Sequence, residues 1–337
     1  MFGPQKTSNG ILRLHVKIFL MCGRGALTLS GDKCRRVAGG ARRGGNTKVR
    51  NAEKLKTKYN LGPMNYVPVV RSVEGSSPYA SDREVCAMRW GLVPSFAKNE
   101  EEYNAFKGGN STFNARIEGA ESRNLWRRLL DKRRCIVLFD GFYEWKAHVD
   151  GKTKIPMFIR NKDEYDGHVI PWACKEDEEN EDEKRDGSPA PLLLAGLYDT
   201  WQADSKELLE SVTILTMDPQ HTAMEQVHDR MPVFLTPESA LRWLDLRVPF
   251  TEVVGPVLKA AQAHAQSQLL LYEVSPLVSN IKNESPDCIL PKKEYSAKQL
   301  TKGIGRFFKS KTEGAKQPVK EAQETSLQKD TSVVNLD

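Results

Sequence analysis

The chain has 337 residues, 39% hydrophobic and 28% charged, with a formal net charge of +6. That is enough for one large or two small domains with a real core, and no stretch approaches the roughly 18 uninterrupted apolar residues of a membrane span. Cysteines at 22, 34, 86, 135, 174 and 288 form no C-x-x-C pair and no regular spacing, which argues against a zinc site or a disulfide framework and sets a reducing intracellular compartment as the expectation.

Residues 1–20 hold Lys6, Arg13 and Lys17, no acid, and apolar runs at Ile11-Leu12 and Val16 to Leu20. They read either as a transit-type leader or as sequence ahead of a start at Met21. The plainer reading, a start at Met21, is preferred. Glu121 to Leu130 is predicted as a helix. From about Cys135 the chain reads as strands joined by turns: R-C-I-V-L-F, the turn Asp140-Gly141, F-Y-E-W-K, and Ile155 to Arg160. The polar, acidic stretch from Asn161 to Pro191 reads as an insertion between two strands. Within it Lys175 to Asp186 carries eight acids and three bases, a net of −5, so the remainder carries +11. Such an excess of Lys and Arg serves either solubility or a polyanion-binding face.

Further strands are predicted at Leu192 to Tyr198, Val212 to Met217, Pro232 to Leu235 and Leu269 to Val274. Thr236-Pro237-Glu238 places an N-cap, a proline at the first helical position and an early acid ahead of a helix running through Trp243 and Leu244. Val253 to Gln266 is a second, alanine-rich amphipathic helix. Strands and helices mix without a βαβ rhythm, so the fold class is α+β. From Pro291 onward, Lys, Glu, Ser, Thr and Gln predict a tail without structure.

Five short motifs carry the chemistry: M-C-G-R at Met21 to Arg24, R-W-G-L-V-P at Arg89 to Pro94, F-N-A-R-I-E at Phe113 to Glu118, D-G-F-Y-E-W at Asp140 to Trp145, and H-D-R-M-P at His228 to Pro232. A late V-S-x-x-V-x-N follows at Val274 to Asn280. In this order, from Met21 to about Leu290, they resemble the SRAP (SOS-response-associated peptidase) family of abasic-site processing proteins. The resemblance implies one domain over residues 21–290, a largely antiparallel, barrel-like sheet with flanking helices.

It also implies that Cys22, once it is the first residue, joins covalently to the ring-opened aldehyde of an abasic site in single-stranded DNA. An N-terminal cysteine is a 1,2-aminothiol: its amine forms a Schiff base and its thiol closes a thiazolidine ring. An internal Cys22 has no free amine and, read alone, is a small buried hydrophobe. Asn114 is assigned to holding the amine and the adduct. Glu144, flanked by Tyr143 and Trp145 but pointing away from them, handles protons in Schiff-base formation and reversal. His228 protonates the departing ring oxygen of the deoxyribose, while His221 lacks a motif and is set aside.

Arg24 and Arg116 adjoin Cys22 and Asn114 and are expected to meet phosphates. Trp90 and Trp145 either stack on bases or pack in the core. In the tail, residues 301–308 place Ile304, Phe307 and Phe308 in the I-x-x-F-F spacing of motifs that bind the sliding clamp PCNA. The expectations are a monomer that needs no metal or organic cofactor, acts on abasic single-stranded DNA, and works in the nucleus, or in an organelle if residues 1–20 are a leader. Two other readings stand beside this one. One is a cysteine-type peptidase, since Cys22, His228 and Asn114 are the residue types of a thiol protease; the other is a non-catalytic single-stranded DNA-binding module.

Overall fold

The structure is a computed structural model that describes residues 22–39, 49–73, 83–98, 102, 112–170, 188–202 and 208–313, the last eleven of these as backbone only. The first strand, β1 (Gly25–Leu27), is followed by helix α1 (Gly31–Val37), whose N-cap Ser30 accepts from the Lys33 N–H. Next come β2 (Lys58–Leu61), β3 (Tyr66–Ser72), β4 (Arg83–Trp90) and β5 (Asn114–Arg116). The helix expected over Glu121 to Leu130 is a single turn, α2 (Asn124–Arg127). Strands β6 (Arg134–Phe139), β7 (Gly141–Ala147), β8 (Lys154–Asn161), β9 (Leu192–Trp201) and β10 (Leu209–Met217) follow. The chain then makes β11 (Met231–Pro232), β12 (Phe234–Leu235), α3 (Pro237–Leu244), α4 (Phe250–Ser267) and β13 (Leu269–Glu273).

Two sheets are formed, and the larger one closes on itself. β4 pairs with β3, β3 with β6, β6 with β9 and β9 with β10, all antiparallel, and a parallel pairing of Ser211 and Val212 with Arg89 and Trp90 closes the ring. A closed sheet has no free edge among the strands of the ring. Its strands are apolar on both faces, β6 being buried throughout, because side chains fill the inside while α3 and α4 pack on β6 and β12 outside. The second sheet is open, in the order β13-β8-β7-β1-β2, and packs a smaller cluster of Ala26, Tyr143, Phe158, Val274, Val278 and Cys288. Together these give the α+β class, a barrel-like antiparallel sheet with flanking helices.

β6 and β7 meet at a corner between the sheets, and Gly141 makes that corner possible. A Cβ there would lie 2.7 Å from the Ile159 carbonyl oxygen. At the same end of the barrel, where β9 begins opposite Phe139, β9 and β10 stop pairing at Ile214 and Gly196. The segment Met231 to Leu235 enters the gap: the Val233 N–H donates to the Leu215 carbonyl (2.9 Å) and the Ala195 N–H to the Val233 carbonyl (2.9 Å). The loop ahead of that wedge carries His228.

Buried polar groups fix the outer helices. The Arg134 guanidinium donates to the carbonyls of Trp243 (2.7 Å), Leu130 (2.9 Å), Asp245 (2.6 Å) and Val248 (2.8 Å), and so caps the C-terminus of α3 from within the core. Asn161 donates its amide hydrogens to the Ala190 and Pro191 carbonyls, both at 3.0 Å, which turns its oxygen toward His264 Nε2 at 2.8 Å. His264 therefore carries its proton on Nε2. Burial pushes its pKa down to about 4, against about 6.5 in an unfolded chain. The depressed value means that stability present above pH 6.5 is lost as pH falls toward 4, by on the order of 3 kcal/mol. Thermal melts from pH 7 to pH 4 are expected to fall less steeply for His264→Gln than for the wild type, and parallel curves would contradict this.

Beyond the barrel, residues expected to form an unstructured tail instead begin as a helix, α5 (Lys292–Glu313). Its Lys, Glu, Gln, Ala and Leu are strong helix formers, and low hydrophobicity alone hid that. The side chains of Ile304, Phe307 and Phe308, and the acidic run at 175–186, lie outside what is described. No helix among the described residues is long and apolar enough to cross a membrane.

Candidate active site

Antiparallel pairing of β1 with β7 sets Gly25 against Phe142 and Ala26 against Gly141. Carrying that register back along the chain brings Gly23 and Cys22 to Glu144, and the Tyr143 N–H donates to the Arg24 carbonyl at 2.9 Å. The Cys22 backbone nitrogen donates to Glu144 Oε1. Alternation along β7 puts Phe142 and Glu144 on the barrel side, and Tyr143 and Trp145 on the side of the smaller cluster. Glu144 is therefore a carboxylate nearly closed off from solvent. Burial raises its pKa, and the nearby His228 and the Cys22 N–H offset only part of that rise.

Cys22 has φ of 46°, the left-handed region that a non-glycine residue avoids. Holding it there costs on the order of 1–3 kcal/mol, a strain found where surrounding structure imposes geometry. Its thiol is buried, 3.9 Å from the Arg230 carbonyl oxygen. Burial and the adjacent Glu144 carboxylate push the thiol well above its ordinary pKa, so it is neutral near pH 7.

β5 runs parallel to β10, with Asn114 opposite Ile214. From there Asn114 Nδ2 donates to the Cys22 carbonyl at 3.4 Å. His228, on the loop between β10 and β11, brings Nε2 to 3.8 Å from Glu144 Oε2. Its Nδ1 has a partner for each protonation state. The Arg230 N–H donates to it at 3.2 Å when it carries a lone pair, and Asp229 Oδ1 lies 2.9 Å away when it carries a proton. Residues from distant parts of the chain thus surround Cys22: Glu144 at its nitrogen, the Arg230 carbonyl at its sulfur, Asn114 at its carbonyl, and His228 behind Glu144.

The four residues expected to bind DNA divide differently. Arg116 is exposed at the end of β5. Arg24 is committed inward: one guanidinium nitrogen donates to Asn60 Oδ1 (2.8 Å) and the Val278 carbonyl (3.2 Å), and the group lies 5.7 Å from the Trp145 ring centroid. Trp145 is half-buried and donates through Nε1 to Ser279 Oγ at 3.3 Å. Trp90 is no stacking platform. It is 0% exposed, set edge-on to Phe113 and Phe139 at 5.9 and 5.5 Å, with Nε1 donating to the Phe113 carbonyl. Its location at the end of β4, where the ring closes, leaves core packing as its role. Among the described residues no three His, Cys, Asp or Glu side chains converge as metal ligands.

A family model described as SOS response associated peptidase (SRAP) matches residues 21–281. The chain belongs to the SRAP family. Abasic site processing protein HMCES of Xenopus tropicalis is 32% identical over 281 residues, covering 80% of this chain and 78% of that protein. Abasic site processing protein YoqW of Bacillus subtilis (strain 168) is 32% identical over 232 residues, 68% of this chain and 84% of that one. A crystal structure of a Bacteroides thetaiotaomicron protein is similar with a TM-score of 0.57 at 20% identity, over 80% of this chain and 99% of its own, which speaks for the fold alone.

Two residues of this SRAP site escaped the sequence reading although both stand inside its motifs. Arg230, third in H-D-R-M-P, lends its carbonyl to the thiol's surroundings and its side chain to Glu118, last in F-N-A-R-I-E. A third, Asn60, sits in no motif. Its amide donates to the carbonyls of Val278, Asn280 and Asn283 and thereby folds the V-S-x-x-V-x-N segment over the smaller sheet.

Proposed function

We propose that this chain processes abasic sites in DNA, as the names of its Xenopus tropicalis and Bacillus subtilis relatives say of those proteins, and that it binds single-stranded DNA and joins the lesion to Cys22 as a thiazolidine. The observation that carries this reading is the Cys22 nitrogen held against the Glu144 carboxylate. Nothing in the packing of a small buried cysteine calls for an acid at its own backbone nitrogen. A reaction at that nitrogen does.

The chemistry requires that the residues ahead of Cys22 be removed, freeing an α-amine with a reference pKa of about 8, substantially neutral near pH 7. The amine adds to the C1′ aldehyde of the ring-opened sugar, a proton passes to the aldehyde oxygen, and loss of water gives the Schiff base. Sγ then bonds to the imine carbon, the thiol proton ends on the ring nitrogen, and one water has been released overall. A neutral thiol makes the amine the first attacker. Ring closure by a tethered sulfur is favoured by an effective molarity of roughly 10⁵ M or more.

Each group has a task that its location suits. Glu144, between nitrogen and sulfur, carries both protons. His228 protonates the ring oxygen and exposes the aldehyde, and Asn114 orients Cys22. Exposed Arg116, two residues beyond Asn114, meets a phosphate, and half-buried Trp145 offers its free face to a base. A peptidase acting on other chains would need a thiolate, which the buried thiol disfavours.

The test uses an oligonucleotide with a single abasic site. Wild-type protein is expected to give an adduct that survives denaturing electrophoresis, with the mass of protein plus oligonucleotide less one water. Cys22→Ser is expected to give none while keeping weak, salt-sensitive binding. Equal adduct from Cys22→Ser, or full activity in protein whose intact mass includes residues 1–21, would overturn the proposal.

A further inference from the structure

One carboxylate clasps the loop that presents His228. Glu118 Oε1 accepts from the Asp218 N–H at 3.2 Å and from Arg230 Nη1 at 3.0 Å, and Oε2 accepts from Arg230 Nη2 at 2.8 Å. Asp218 is the first residue after β10 and Arg230 the last before β11, so both ends of the loop rest on the same side chain. Glu118 itself lies four residues past Asn114, in the tight turn that ends β5. The clasp therefore ties the element bearing Asn114 to the loop bearing His228.

The rest of the loop is anchored away from the site. Met224 is fully buried, Thr222 caps a short turn, and Gln262 and Gln266 of α4 donate to the carbonyls of Gln220 (3.0 Å) and His221 (2.7 Å). Met224 also holds the main chain of His228, whose N–H donates to the Met224 carbonyl at 3.0 Å. The imidazole ring is held from the Arg230 end, where the guanidinium also donates to the Thr216 carbonyl at 2.6 Å and the backbone N–H to His228 Nδ1. The bidentate fork defines direction as well as distance, which a point charge would not. Partial burial opposes ionisation of Glu118, but hydrogen bonds from Arg230 and the backbone outweigh it and hold the carboxyl below its usual range, so it is charged at neutral pH.

We propose that Glu118 is a positioning residue of this site, which acts through Arg230 to hold His228 against Glu144. Glu118 is half exposed but Arg230 is buried, so losing the carboxylate charge also costs some stability, and the test is read on the loop and on the reaction rather than on the melt. The inference rests on the proposed function only for its kinetic arm. Its physical arm, the order of the loop, stands apart from what the protein acts on.

Two measurements test it. Hydrogen exchange of the peptide spanning 218–230 is expected to speed up at least tenfold in Glu118→Gln, with peptides from β6 and β9 unchanged; equal protection in variant and wild type would overturn the clasp. In single-turnover crosslinking to a closed-ring abasic site, Glu118→Gln is expected to lose at least tenfold in rate. In a His228→Ala background the same substitution is expected to lose less than twofold, because the group it positions is gone. A full further loss in that background would mean that Glu118 acts elsewhere, and would sink the proposal. A wild type that forms no adduct would instead refute the functional reading, leaving the exchange result to judge the clasp.

Discussion

Replacing Glu144 with Gln is expected to slow crosslinking to an abasic site by about 10²–10⁴-fold, the contribution of a placed acid–base group. Gln keeps the shape and can still accept from the Cys22 nitrogen, so the loss isolates proton transfer. It should appear equally with a simple preformed aldehyde, whereas His228→Ala should slow only the closed-ring substrate. Release of the adduct should slow with Glu144→Gln as well, since the same residue serves both directions. Identical losses for both variants on both substrates would show the roles wrongly divided.

The same substitution is expected to stabilise the protein while residues remain ahead of Cys22, whose nitrogen is then a neutral amide. Burial raises the folded-state pKa of Glu144, so the native state holds this proton more tightly than the unfolded chain. The stability it contributes is complete below about pH 4 and is lost as pH rises through the raised value. Gln never ionises and escapes that loss. The melting temperature of Glu144→Gln should exceed that of wild type at pH 8, and the gap should close toward pH 4. A variant less stable than wild type at pH 8 would mean that the ionised carboxylate is net favourable there.

Trp90→Ala carries the largest expected structural cost, about 3–5 kcal/mol by urea unfolding, because a fully buried indole leaves a cavity. Trp90→Phe keeps most of the packing and loses the bond to the Phe113 carbonyl, for about 1 kcal/mol plus what the smaller ring gives up. Phe113 precedes Asn114. Trp90→Phe should therefore also weaken crosslinking at a temperature where it remains folded, although Trp90 touches no DNA. A loss under about 1 kcal/mol for Trp90→Ala would contradict the burial argument.

Sequence made the second half of the barrel legible because its strands are short apolar runs closed by clear turns, as at Asp140-Gly141, and because Thr236-Pro237 caps α3 unmistakably. The first half was not legible. β3 contains Pro68, which argues against a strand in mid-sheet, yet the pairing of β3 with β6 covers only Val69 and Val70 and spares the missing N–H. β5 is three residues long and gains its partner from β10, a hundred residues away. At the site, the motifs marked Cys22, Asn114, Glu144 and His228, which the fold brings together. They could not mark burial: Trp90 and Trp145 look alike in sequence, and only the closing of the ring takes one into the core. Glu118 and Arg230 were visible as letters within motifs, but their pairing depends on the loop's path.

The parallel seam between β4 and β10 also sets an order of events. It joins Arg89 to Ser211, and the barrel cannot close before the chain has been made past that point. Contacts this distant in sequence form slowly, because the intervening chain must lose its freedom first. Cys22 leaves the ribosome well before the groups that surround it, since its carboxylate lies 122 residues later and the carbonyl facing its thiol 208 residues later. Until those residues have been made, Cys22 is open to solvent and the pocket around it does not exist. A nascent or truncated chain ending before His228 would present Cys22 but no site, because the groups that enclose it come from the far side of the closing seam.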